Sequence, residues 1–332
     1  MAKRVFLHIG QGKTGTSTIQ GFLARNREAL ASHGYLYPTI SRYDRHLELS
    51  LYAKTDAAMV NAPSWWRMPW DSPSELREAI EKDLPAHIAE SGCENVVLSD
   101  EGLWRHPMAR LTTLVEALQP IDELVIVVYL RRQDEHVVSR YKQTMRDGRS
   151  HLLSEFLARP KTAEAWQYDT TLRNLLETFP AARLVVRPYH SSRFRERTLV
   201  EDFLDAIDAP AFDYDKSSTK TLRLNVSLDA YTTEYLRRWN ATHGRANKPL
   251  ARRLTKLADG PNLRMEEEEH RAFWEQLRPS NSRLVKEFLP DAEDIFLAHL
   301  QPKGGVTQRE ITDEDLARLE DRLAAPPGRR TA

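Results

Sequence analysis

Cysteine is nearly absent. Cys93 stands alone in 332 residues, which excludes an intrachain disulfide framework and a cysteine-rich metal site. Net charge is absent too: Lys plus Arg and Asp plus Glu each number 48. That balance argues against bulk nucleic-acid binding and leaves room only for a local basic cleft. No apolar run is long enough to span a membrane, and the one in MAKRVFLHIG is far too short for a signal peptide. The expectation is a soluble, cytoplasmic protein with the cysteine usage of a reducing compartment. No internal repeat is visible, and the length suits one large α/β domain or two smaller ones.

What is present is concentrated first in Lys3 to Leu23, KRVFLHIGQGKTGTSTIQGFL. An apolar run, Val5 to Ile9, passes through Gly10, Gln11, Gly12, Lys13, Thr14, Gly15 and Thr16 into a helical pattern from about Ser17, so the stretch reads as strand, turn, helix. Glycines let several amide N–H groups point into one concavity, and the helix adds its unpaired N–H groups and the positive end of its dipole. Lys13 adds a full charge; Thr14, Thr16, Ser17 and Thr18 add hydroxyls. The arrangement suits a phosphate or sulfate group. It lacks one feature of a Walker A loop, because Leu7 stands where the first glycine belongs, so the loop is shorter than a nucleoside-triphosphatase loop. The plainer alternative is a tight turn with a Ser/Thr cap and an exposed lysine, but one lysine and four hydroxyls exceed what capping needs.

Along the chain, the first helix is expected over about Thr16 to His33, stopped by Gly34, with a short extended segment at Tyr35 to Pro38. His46 follows in a polar patch, either as an ordinary surface histidine or as a functional one. Trp65, Trp66 and Trp70 lie in a proline-containing stretch without helical or strand period: a packed loop, slightly favoured, or an exposed platform for a sugar ring. Ser74 to Glu90 and Pro107 to Leu118 have helical spacing. Val96 to Ser99 reads as a buried strand ending at Asp100 and Glu101, and carboxylates at such a strand end lie near the ligand crevice of an open α/β sheet. Leu124 to Leu130, LVIVVYL, is continuous and β-branched, as in a central parallel strand. It leads directly into Arg131, Arg132 and a helix carrying Ser139, eight residues after Arg131. Arg183 to Tyr189 is another parallel-type strand, and Leu199 to Ile207 reads as a helix.

Beyond residue 210 the pattern is helical and charged. Arg223 to Leu228 precedes a helix holding Arg237, Arg238 and Trp239. Seven basic residues fall between Arg237 and Lys256 without an acidic one, and Glu266 to Glu269 is an acidic run. Such runs are usually solvated faces. The functional alternative is a helical subdomain over the mouth of a site, its basic face meeting an anionic acceptor or a nucleotide. The division expected is a core over 1–210, a helical charged subdomain over 211–323 and a disordered tail over 324–332. The strand–helix alternation implies a three-layer α/β fold around a mainly parallel sheet.

Two motifs carry a family resemblance. His8, Ile9, Gly10, Lys13, Thr14, Gly15, Thr16, Ser17, Thr18, Ile19 and Gln20 resemble the 5′-phosphosulfate loop of bacterial glycan-type PAPS-dependent sulfotransferases. Arg131 and Ser139, after a central strand, resemble that family's 3′-phosphate motif, although the usual Arg-x-Pro reads Arg131-Arg132-Gln133. Arg132 could replace Arg131 in another register. Tyr189 matches, by position, a tyrosine that packs near the nucleotide base. The resemblance covers about residues 3 to 210. It implies a P-loop-kinase-like topology, PAPS as donor, PAP as product, no metal, and in-line transfer of a sulfuryl group to an acceptor hydroxyl or amine. A carbohydrate or glycolipid acceptor is favoured by the family and the tryptophans.

In that reading Lys13 offsets charge on the bridging oxygen. The backbone from Gly12 to Thr16 and the hydroxyls of Thr14, Ser17 and Thr18 hold the phosphate and sulfuryl oxygens. Glu101 is the first candidate for general base, His46 the second, with Asp100 expected to point the other way. The rival readings are a kinase or other phosphoryl transferase on the same fold, with Asp100 or Glu101 holding Mg²⁺, and a non-catalytic module that binds anionic glycans.

Overall fold

The strands fall where the apolar runs lie: β1 (Arg4–His8), β2 (Tyr35–Leu36), β3 (Asn95–Ser99), β4 (Glu123–Leu130) and β5 (Arg183–Pro188). In the computed structural model, which describes residues 3–159, 165–214, 227–299 and 304–324, they form one all-parallel sheet in the order β2-β3-β1-β4-β5. The fold is α/β, as the alternation of elements predicts. The register sets His8 opposite both Ser99 of β3 and Val127 of β4, so the C-terminal ends of the three central strands meet. From β1 the chain goes first to β3 and β2 on one side, then to β4 and β5 on the other. This makes the end of β1 a topological switch point, where open α/β sheets bind ligands.

The central strands carry continuous apolar runs, Val5 to Leu7, Val96 to Leu98 and Leu124 to Leu130, because both faces are covered. Val97, Val125, Val127 and Tyr129 pack with Phe6, Ile19, Phe22, Leu23 and Phe203 in one cluster. Each such side chain removed from water contributes about 1.5–3 kcal/mol. Tyr129 also donates its hydroxyl to Asp202 at 2.7 Å, satisfying the one polar atom it brings inside.

Two helices differ from the sequence reading in detail. The first runs Thr16–Arg25 and breaks before a second, Arg27–Ser32. At the break the Asn26 side chain donates to the Phe22 carbonyl at 2.8 Å, competing with the helical ladder. The helix expected from Ser74 to Glu90 is interrupted by a π turn over Ala79–Asp83, just before Pro85, whose missing N–H removes one ladder bond.

The chain divides into two compact units, and not at residue 210. The first holds Met1–Arg131 and Asp169–Leu224; the second holds Arg132–Tyr168 and Asn225–Ala332. Within the second unit the helix Gln133–Arg146 is held by partners far along the chain. Gln133 donates to Asn281 at 2.5 Å, Asn240 donates to the Met145 carbonyl at 2.7 Å, and His270 and Asp134 lie 2.9 Å apart. Those buried polar bonds give Arg132–Tyr168 to the C-terminal helices, where the sequence reading had it in the core. The helices Ala230–His243, Lys248–Lys256, Glu267–Phe288 and Asp313–Ala324 are the helical, charged part foreseen. The segment 215–226, with Arg223, and tail residues 325–332 lie outside the described residues; Ala324 closes the last helix. Among the described residues no helix is long and apolar enough to cross a membrane.

Candidate functional site

After His8 the chain turns through three residues of positive φ, Gly10 (34°), Lys13 (76°) and Gly15 (74°). Gly15 is required there for a second reason: a Cβ would lie 2.3 Å from Leu199 Cδ2 and 3.1 Å from Tyr189 Cε2. Lys13 has no such licence, and a side-chain-bearing residue in this region costs about 1–2 kcal/mol. The helix Thr16–Arg25 that follows has no side-chain cap at Gly15 and no acidic residue in its first turn. Its positive end is therefore left for something other than its own sequence.

The hydroxyls expected to hold an anion divide. Thr14 is buried and donates to the Gln11 carbonyl at 2.5 Å, so it braces the loop. Thr16 is buried and donates to Glu101 Oε2 at 2.7 Å. Ser17 is exposed and Thr18 half-buried. Gly12 and Lys13 are half-buried at the turn between them and β1.

A residue missed in the sequence reading closes the loop. The buried Gln11 accepts the Arg131 N–H on Oε1 at 3.2 Å, tying the end of β4 to the loop. The Arg131 guanidinium approaches the Lys13 carbonyl at 3.5 Å and lies 5.9 Å from the centre of the Tyr189 ring. Tyr189 is fixed by its N–H on the Leu130 carbonyl at 2.7 Å. The Lys13 carbonyl, Gly15, the Arg131 guanidinium and the Tyr189 ring thus converge at the ends of β1, β4 and β5. Arg132 is bound within the second unit, to Asp134 at 2.9 Å and over the Trp274 ring at 4.9 Å. Ser139 is half-buried on the helix Gln133–Arg146 of that unit.

Beneath the loop, His8 Nδ1 lies 2.8 Å from the Ser99 hydroxyl, which also accepts from Gln20 at 3.1 Å. Burial lowers the His8 pKa to about 3, so the ring is neutral.

Glu101 is the carboxylate at the loop: Thr16 holds Oε2, and Arg45 approaches Oε1 at 3.7 Å. Asp100 is fully buried, where desolvation pushes its pKa up against the Ser50 hydroxyl and Arg45; its Oδ1 accepts the Gly102 N–H at 3.2 Å. His46, the second candidate base, bonds to backbone groups through both ring nitrogens. It is buried, Nδ1 accepts the Ser99 N–H at 3.0 Å, and Nε2 therefore donates to the Pro38 carbonyl at 2.9 Å. Both ring nitrogens are committed, and burial lowers its pKa to about 4, with the Pro38 carbonyl opposing. His46 is a strut between the β2 exit and the end of β3.

Trp65 and Trp70 are half-buried, whereas Trp66 is 74% exposed, so packing accounts for only part of the tryptophan loop. In the basic run of the second unit Arg237 and Arg238 grip the buried Glu234 at 2.7 and 2.9 Å, so at these two positions the run is an ion-paired cluster and not a solvated face. Burial alone would raise that carboxyl; the two arginines outweigh it and hold it below its usual value.

No family model and no solved structure matches the chain. An uncharacterized protein of Archaeoglobus fulgidus is 27% identical to it over 205 residues, 59% of this chain and 55% of that protein. The chain thus spans about half the length of this curated relative.

Proposed function

We propose that the chain is a PAPS-dependent sulfotransferase, moving a sulfuryl group to a carbohydrate or glycolipid hydroxyl. The observation that carries the reading is the convergence of Lys13, Gly15, Arg131 and Tyr189 at the mouth of an uncapped helix. The strand order, with β1 at the centre, supports the P-loop-kinase-like topology of that family. The residues present fit the donor. The helix amides and Lys13 suit its 5′ end, Arg131 offers a planar fork for the 3′-phosphate, and Tyr189 offers a ring beside the base.

PAPS, when bound, supplies an activated sulfuryl group. The chain's residues position it and handle charge and proton. As the acceptor oxygen bonds to sulfur and the sulfur–phosphate oxygen bond breaks, negative charge grows on the leaving phosphate. Lys13 and the first-turn amides stabilise that charge. The acceptor proton passes to Glu101, whose Oε2 is held by Thr16 and whose Oε1 faces Arg45.

Thermal shift separates this reading from its rivals. PAP should stabilise the protein, by about 2.7 kcal/mol at 100 times its Kd, and ATP–Mg²⁺ should not. Stabilisation by ATP–Mg²⁺ alone would identify a phosphoryl transferase, and by neither, a module without a donor site. Transfer of labelled sulfate from PAPS to a panel of glycans and small alcohols then names the acceptor.

A further inference from the structure

We propose that the surface around Trp66 is a binding site for an acidic saccharide, the acceptor subsite of the same protein. Trp66 is 74% exposed, and the Arg67 guanidinium lies 4.8 Å from its ring centre. The Arg67 carbonyl accepts from Arg42 Nη2 at 3.0 Å and from the Tyr43 hydroxyl at 3.3 Å, and Arg42 lies 5.4 Å from the centre of the Tyr43 ring. Two exposed arginines are therefore tied together beside an open indole face. Neither is ion-paired with a carboxylate among the described residues, whereas Arg4, Arg77, Arg183 and Arg187 all are.

An indole face takes the C–H face of a pyranose, and a guanidinium fork takes a carboxylate or sulfate in two parallel hydrogen bonds. Packing against Tyr43 and Trp66 pre-orients the forks before any ligand arrives. A neutral sugar would use the ring and leave both charges idle. A nucleic-acid strand would need successive stacking platforms along a basic groove, and here one ring is open in a chain of zero net charge. The same segment also reaches the loop: Arg45, three residues after Arg42, approaches Glu101, and Glu101 receives the Thr16 hydroxyl.

What the subsite serves rests on the sulfotransferase reading; its binding does not, and is measured without donor. Calorimetry at 50 and 150 mM salt would titrate a hyaluronan hexasaccharide, its carboxyl-reduced counterpart, an oligogalacturonate hexamer and a thymidine hexanucleotide. At least one uronate oligomer should bind, the carboxyl-reduced sugar at least about 10-fold more weakly, and Trp66→Ala and Arg67→Ala should each weaken binding about 10-fold or more. PAP affinity should be the same in both variants as in the parent. Equal binding of the carboxyl-reduced sugar, indifference to both substitutions, tighter binding of the nucleotide oligomer, or no uronate binding would each overturn the site. Failure of PAP to bind the parent protein would instead overturn the donor reading and leave the saccharide result standing.

Discussion

The backbone N–H of Arg131 donates to the side chain of Gln11 at 3.2 Å, and through that one bond the end of β4 holds the loop that leaves β1. Gln11 is buried, and its Nε2 has no hydrogen-bond partner among the described residues. The side chain therefore sits between the loop after β1 and the end of β4.

Gln11→Ala should leave the Arg131 N–H without its acceptor. The expected cost is about 1–3 kcal/mol of stability, with weaker PAP binding, measured by urea denaturation and calorimetry. Unchanged stability and PAP affinity would mean that the bond does not organise the loop.

Lys13 combines a backbone cost with a proposed catalytic charge. Lys13→Gly relieves the positive φ, so stability should hold or rise by up to about 1 kcal/mol despite the entropy of glycine. Turnover should nevertheless fall on the order of 100-fold or more, and PAP affinity much less, because the charge that Lys13 meets grows in the transition state. Near-parental turnover would return Lys13 to an ordinary turn residue.

Glu101→Gln keeps an acceptor for the Thr16 hydroxyl and removes the proton acceptor. Fold and PAP binding should persist while most sulfate transfer disappears, read as kcat against one confirmed acceptor. Transfer within a few-fold of the parent would assign the proton to another group.

His46 should matter for stability and not for the pH profile of transfer. Its native pKa of about 4 lies below the 6.5 of an unfolded histidine, so between these values the unfolded chain binds the proton and the native state does not. The native state loses stability as pH falls through that window, by on the order of 3 kcal/mol at most. His8 acts in the same direction, while Glu48 and Asp100, raised by burial, act in the opposite one. The contribution is therefore read as a difference: denaturation at pH 7 and pH 5 should show a smaller acid loss in His46→Gln than in the parent. An acid limb of kcat that vanished in the variant would contradict the strut.

The strands and the loop were legible because their causes are local. LVIVVYL can satisfy its side chains only between two covered faces, and glycines beside a strand end announce a turn. The break at Asn26 and the π turn before Pro85 were local too, but periodicity does not register a single competing amide or a missing N–H. The roles of His46 and Gln11 were not legible at all, since their partners Ser99 and Arg131 lie 53 and 120 residues away. The same holds for the division at Arg131. The strand β4 and the helix after it read as one continuing unit, and only Asn240, His270 and Asn281 reveal where that helix packs.

The proposed donor site, reading a 3′-phosphate, is tested most directly by calorimetric titration of PAP and of AMP into the parent protein and into Arg131→Ala. PAP should bind the parent more tightly than AMP by about 1.5–3 kcal/mol, the worth of a charge-assisted phosphate contact, and Arg131→Ala should remove most of that difference. Equal affinity of the parent for PAP and AMP would contradict the account.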